Sequence, residues 1–290
     1  MRKNYIPIIV IFVLIVLLLL FVYFKRIEKL ENTGEKYDLN NFDRDFEKLK
    51  NILVDVKNPY LQDNSTIKWA PSDKMNILFN LNWPNTFDFD FDIKEDIIDH
   101  ALKLPFNYGI IDCGAHIGDG SIPIAHALIK KGRQDLIVYA IDPSTYKCKI
   151  IEYFASINNL TNIRVICSGL SNENTEYTYV ESVSENTGGT NWKSLENNEG
   201  IVNTESQKFY TLDYLVQQGR IKNNIGVIHL DVECMEIKVL EGGKNTIDKF
   251  KPYLSLENHT SNTNMYIEYL PTGYKYMYNK GANNILEYSK

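Results

Sequence analysis

Four stretches of the chain run apolar and then end in groups that titrate: Ile111-Asp112, Ile141-Asp142, Leu230-Asp231-Val232-Glu233 and Leu256-Glu257-Asn258-His259. Acids at several neighbouring strand ends can hold a cation or the paired hydroxyls of a ribose. A histidine among them can take a proton near neutral pH. The first acid opens the glycine turn Gly114-Ala115-His116-Ile117-Gly118-Asp119-Gly120. Asp142 follows about 20 positions later, where a ribose-binding acid lies in nucleotide-binding βαβ units. Gly114 suits a sharp turn at positive φ, and Gly118 and Gly120 would let backbone approach a ligand without a Cβ between them.

The glycine spacing narrows the ligand. A dinucleotide site wants G-x-G-x-x-G, and this turn reads G-x-x-x-G-x-G. The triphosphate loop wants Gly-Lys-Ser/Thr after its glycines, which is missing here. Acids facing the ligand suit a cationic one, and S-adenosylmethionine (SAM) has a cationic amino group, a sulfonium and a ribose. A strand–turn–helix without a ligand would read the same on glycines alone, so the neighbouring segments must carry the rest.

Those segments alternate as a βαβ framework requires. An apolar run from Gly109 precedes the turn, and a helix from Ser121 to Lys131 follows, with Ile122, Ile124, Ala125, Leu128 and Ile129 inward and Gly132 as its stop. Pro123 is compatible with the first turn of that helix. Strands are predicted at Leu136–Asp142, Ile163–Cys167, Gly226–Glu233 and Lys251–His259, with helices at Lys147–Asn158 and from Met235 to Leu240. Thr211-Leu212-Asp213 opens another helix, with Asp213 in its N-cap region. A terminal hairpin is read at Tyr274–Tyr278 and Asn283–Tyr288. Ser168 leaves the third strand at a level where an adenine can lie. The polar segment 181–200, containing Trp192, is long enough for a lid over a substrate. Ile93 to Leu104 reads as a helix before the first core strand. The Phe87–Asp92 alternation reads as a half-exposed strand whose carboxylates are solvated rather than metal-binding.

Composition excludes some classes. A net charge of −6 and a pI near 5.5 leave no basic stripe for nucleic acid. Cys113, Cys148, Cys167 and Cys234 form no C-x-x-C pair, so neither a disulfide framework nor a zinc site is expected, and a reducing compartment fits. From Ile6 to Phe24 no residue is charged. At 1.5 Å per residue that run is about 28 Å long, enough for a bilayer core. It predicts an uncleaved single-pass anchor. Lys25, Arg26 and Lys29 after it outnumber Arg2 and Lys3 before it, which favours a cytosolic C-terminal domain. A glycan at the Asn258-His259-Thr260 sequon would block the site, which points the same way. The expected organisation is an anchor over 1–25, a stalk or capping region over 26–104, and an α/β domain over 105–290.

The ordered motifs Ile111-Asp112-Cys113-Gly114-Ala115-His116-Ile117-Gly118, Tyr139-Ala140-Ile141-Asp142-Pro143, Thr211-Leu212-Asp213, His229-Leu230-Asp231-Val232-Glu233 and Glu257-Asn258-His259 together resemble the FkbM family of SAM-dependent methyltransferases, over roughly residues 105–262. The resemblance implies a class I methyltransferase fold, Rossmann-like, with a seven-stranded sheet whose last strand is antiparallel. It implies that Asp112, Gly114, His116 and Gly118 line the methionine part of SAM, that Asp142 holds the ribose, and that Asp231 and Glu233 lie beside the transferred methyl. The family often has Asn at position 116, Lys at 229 and Gly at 234, where this chain has His116, His229 and Cys234. For proton removal from a hydroxyl acceptor the candidates are His259 and then Asp231. The expected activity is membrane-anchored O-methylation of a small-molecule or glycan hydroxyl, without a metal. The alternative is a lapsed methyltransferase domain acting as a membrane-tethered scaffold.

Overall fold

The computed structural model describes residues 47, 49–71, 91–178, 206–258, 262 and 264–289. The chain divides into two compact units, Met1–Asp43 and Arg44–Lys290. The apolar run 6–24, most of the Phe87–Asp92 alternation, the 181–200 segment and His259 lie outside the described residues. Among the described residues no helix is long and apolar enough to cross a membrane.

The centre of the fold is a seven-stranded sheet. Its strands are β3 (Tyr108–Cys113), β4 (Ile137–Asp142), β5 (Ile163–Cys167), β9 (Asn224–Leu230), β10 (Tyr253–Glu257), β11 (Tyr274–Lys280) and β12 (Asn283–Tyr288). Their spatial order is β11-β12-β10-β9-β3-β4-β5. The pairs β10–β9, β9–β3, β3–β4 and β4–β5 are parallel, and β12 runs antiparallel to both β10 and β11. This is a methyltransferase-like α/β sheet, with its antiparallel strand where the terminal hairpin was expected. Parallel strands covered on both faces read as unbroken apolar runs, and Ile110, Ile111, Val138, Ala140 and Ile141 are all fully buried.

Helices α1 (Phe91–Ala101), α2 (Ser121–Lys130) and α3 (Thr145–Ile157) pack in series on one side. Helix α1 buries Ile93, Ile97, Ile98 and Ala101, a stripe at helical spacing. Phe91 and Asp92 therefore start a helix, which corrects the strand expected through that point. Beyond the other face, α4 (Leu212–Gln217), α5 (Glu236–Gly242) and α6 (Lys244–Phe250) pack against one another. Thr211 caps α4 by accepting from the Tyr214 N–H at 3.0 Å. Asp213, expected at that cap, instead accepts from the Asn245 and Thr246 N–H groups and so caps α6. A short sequence reading assigns a polar residue to its nearest helix, whereas here the cap is supplied across more than 30 residues.

Two small sheets complete the unit. Strands β1 (Val54–Lys57) and β2 (Thr66–Trp69) pair antiparallel, and the Trp69 ring stacks on Phe154 of α3 with centroids 3.8 Å apart. Buried Asn58 donates to the Pro123 carbonyl at 3.0 Å and ties this pair to α2. Strands β6 (Gly169–Leu170), β7 (Thr175–Thr178) and β8 (Ser206–Tyr210) form the other, in the order β6-β8-β7.

Candidate functional site

The carboxyl ends of β4, β3, β9 and β10 lie side by side, so Asp142, Asp112, Asp231 and Glu257 meet at one edge of the sheet. Ligands of open α/β sheets bind outside this edge. The turn after β3 is held by its backbone N–H groups, most of them donating to the end of β4. Gly114 and Ala115 donate to the Ile141 carbonyl at 2.9 and 3.1 Å, and Gly118 donates to Ala115 at 2.8 Å. His116 takes a left-handed backbone, φ 49°, and its N–H donates to Asp142 Oδ2 at 3.0 Å. Asp142 Oδ1 accepts from the Ser144 N–H at 2.9 Å. Asp142 thus links the glycine turn to the start of α3 while its carboxylate stays at the strand end.

The glycines serve packing more than ligand approach. A Cβ on Gly114, at φ 86°, would lie 1.7 Å from the Asp231 carbonyl oxygen. A Cβ on Gly118, at φ 88°, would meet Ile122 and Ile151 at 3.0 and 3.2 Å. The space a Cβ would take at Gly118 is therefore filled by core side chains. Further on, Glu233 and Cys234 are consecutive left-handed residues, φ 53° and 71°. The backbone at Cys234 keeps the conformation a glycine would take, so the departure at 234 costs stability rather than shape. Gly114→Ala is expected to destabilise the fold by more than about 3 kcal/mol, through left-handed strain and a backbone clash. Cys234→Gly is expected to stabilise it by about 1 kcal/mol. Urea unfolding midpoints of the two variants check the opposite signs.

Beneath the turn, buried Asp112 accepts from the Ser121 hydroxyl. Burial raises its pKa, with neighbouring His229 and the Ser121 bond opposing. Lys94 of α1 reaches the same place, and its Nζ lies 3.1 Å from Asp119 Oδ2, both side chains being buried. Burial, the largest single influence, would raise the Asp119 pKa, but the Lys94 charge and the His116 hydrogen bond and charge together outweigh it and hold the carboxyl down to about 2. The His116 ring is buried beside Asp119, with its pKa lowered first by burial and then by Lys147. Ser168, also buried, follows β5, and its hydroxyl has no hydrogen-bond partner among the described residues.

Across the cleft, the register pairs Leu256 with Leu230, so Glu257 and Asp231 leave adjacent strands together. They share a side-chain hydrogen bond. Burial first, then the Asp231 charge, push the Glu257 pKa up to about 9, with Glu233 and Glu236 adding to it. Glu236 itself is buried and accepts from the Val232 N–H at 3.2 Å. A carboxyl that is neutral at pH 7 is a proton donor and a hydrogen-bond donor.

The structure therefore brings together Asp112, Gly114, His116, Gly118, Asp142 and Ser168 around β3 to β5, with Asp231 and Glu233 after β9. Lys94, Asp119 and the Asp231–Glu257 bond are additions. Among the described residues no group of three or more His, Cys, Asp or Glu is placed to hold a metal ion.

One further feature flanks Asp142. Cys148 of α3 and Cys167 at the end of β5 are joined as a disulfide, with Cα atoms 5.9 Å apart. No motif spacing announces this pair, since residues 19 apart in sequence are brought together by the α3–β5 crossover. Closing a loop of that length stabilises by about 3 kcal/mol in the chain-entropy view. Thiol counting under denaturing conditions is expected to find two free thiols, Cys113 and Cys234. Reduction is expected to lower the unfolding midpoint.

The sequence matches the family model described as the Methyltransferase FkbM domain over residues 112–278, more than half of the chain. No curated protein matches it by sequence. Among solved structures, a methyltransferase FkbM from Methylobacillus flagellatus KT is 17% identical with a TM-score of 0.43; the alignment covers 86% of this chain and 59% of that one. An rRNA methylase from Streptococcus thermophilus is 12% identical with a TM-score of 0.39, over 69% of this chain and 97% of that one. A precorrin-6y C5,15-methyltransferase from Geobacter metallireducens GS-15 is 13% identical with a TM-score of 0.35, over 67% of this chain and 86% of that one. The chain thus spans 59% of the length of the Methylobacillus protein.

Proposed function

Because the chain belongs to the methyltransferase FkbM family, we propose that it is a SAM-dependent O-methyltransferase acting on a hydroxyl of a sugar, glycolipid or other small molecule. The observation that carries the reading is the meeting of Asp142, Asp112, Asp231 and Glu257 at one sheet edge. The residues fit the cofactor. Buried carboxylates suit its cationic end, Asp142 suits its ribose, and the buried Ser168 hydroxyl is an orphan that an adenine nitrogen would satisfy. When bound, SAM supplies a methyl group on a sulfonium, open to in-line attack.

The chain's own part is orientation and proton removal. Orientation of the acceptor lowers the barrier by several kcal/mol. Asp231 takes the acceptor proton in this reading, and the Glu257 acid holds Asp231 in place by donating to it. Glu233 borders the same space, and His259 is a second candidate base by its position after β10.

The proposed setting is a membrane, reached through the apolar run 6–24, with the basic flank favouring a cytosolic domain. Disulfides persist in oxidising compartments, so the Cys148–Cys167 bond weighs against that face, and thiol trapping in cells would decide. Calorimetric titration of the full chain with S-adenosylhomocysteine tests the cofactor, and labelled-methyl transfer to a panel of hydroxyl acceptors tests the reaction. Micromolar binding is expected. Absence of binding by folded protein would overturn the enzyme reading and leave a tethered scaffold.

A further inference from the structure

SAM and its product carry an amino acid at one end, with a cationic amino group and an anionic carboxylate. The acids at the sheet edge answer the first charge and repel the second. Backbone N–H groups of a glycine turn often hold an anion, but in this turn those of Gly114, Ala115, His116 and Gly118 are already spent inside the protein. Those four groups therefore leave the carboxylate to other donors.

Lys94 is the one lysine or arginine buried among the described residues. It comes from α1, before the segment that matches the family. Its Cε lies 3.4 Å from the point where a Cβ on Gly120 would stand, and Asp112 Oδ2 lies 3.3 Å from the same point. Gly120 thus marks a place where one ammonium and the carboxylates of Asp112 and Asp119 crowd against the turn. Burying a lysine is costly unless its charge is compensated, and the two carboxyl groups of Asp112 and Asp119 offer more acceptor oxygens than the Lys94–Asp119 contact fills. A zwitterion completes it, its amino group on the acids and its carboxylate on the ammonium. An ammonium has three N–H donors and can serve Asp119 and a ligand oxygen together.

We propose that Lys94 binds the α-carboxylate of the cofactor's methionine moiety, making α1 part of the cofactor site. The inference rests on the SAM reading above, and the test separates the two. S-adenosylhomocysteine and its decarboxylated analogue are titrated into wild type, Lys94→Met and Lys147→Gln. Wild type is expected to prefer the carboxylated ligand by about tenfold or more, the range of a charge-assisted hydrogen bond. Lys94→Met is expected to abolish that preference while changing the analogue's affinity little, and Lys147→Gln to retain it. Equal weakening of both ligands by Lys94→Met would reduce Lys94 to a strut between α1 and the turn and overturn the proposal. So would a wild type that binds both ligands alike. Binding of neither ligand to wild type would overturn the cofactor reading itself. Because Lys94→Met leaves Asp119 buried without its cation, the double variant Lys94→Met/Asp119→Asn, which removes both charges, is measured beside it. It is held to the same expectation, with its thermal midpoint as the check on folding.

Discussion

Replacing Asp142 with alanine is expected to lower affinity for S-adenosylhomocysteine by about a hundredfold or more. Two ribose hydroxyls donating to a buried carboxylate contribute about 1.5–3 kcal/mol each. The same carboxylate accepts from the His116 and Ser144 N–H groups, so the alanine variant also strands two backbone donors. Asp142→Asn separates these effects. It keeps the volume and one acceptor oxygen, so the fold is expected to survive with a modestly lower thermal midpoint. Affinity is still expected to fall at least about tenfold, because the charge that strengthens both ribose bonds is gone. Calorimetry and thermal unfolding on the same samples check both halves. An Asn variant that binds as tightly as wild type would remove Asp142 from the ribose site and leave it as a brace for the turn.

Asp142 was legible in the sequence because the signal is local: an apolar run, one acid and a glycine turn at nucleotide-site spacing. The same holds for β3, β4 and β5, whose buried apolar runs admit few other readings, and for the terminal hairpin. What the sequence did not disclose is contact made across the chain. Lys94 looks like any helical lysine until α1 lays it beside Asp119. Asp213 looks like a local cap and serves a helix more than 30 residues on. Cys148 and Cys167 lack any motif spacing and meet because α3 returns the chain to β5. Gly118 shows why residue type underdetermines role, since the turn needs its positive φ while its missing side chain makes room for Ile122 and Ile151. The acids at 231 and 257 were each visible, but their hydrogen bond depends on the β9–β10 register.

That bond sets up the larger expected effect. Asp231→Asn is expected to lower turnover by about 10²–10⁴-fold, the usual contribution of a positioned base, while leaving S-adenosylhomocysteine affinity within about threefold, since the cofactor carboxylates are intact. Glu257→Gln retains a donor to Asp231 and is expected to keep most of the activity. Its signature is in stability. An unfolded glutamate titrates near 4.5, whereas in the fold burial and the Asp231 charge hold Glu257 up to about 9. Between those values the folded protein binds a proton that the unfolded chain lacks, so stability falls as pH rises through that window and is greatest below it. Glutamine has no such proton. The urea midpoint of Glu257→Gln is therefore expected to gain on wild type steadily from pH 5.5 to 8.5. A difference that stays flat with pH would mean that Glu257 ionises normally, and with it would go the account of Asp231 as the acceptor of a proton-bearing partner. If Asp231→Asn turned over at the wild-type rate, the base would have to be sought elsewhere, and His259 would be the next residue to replace.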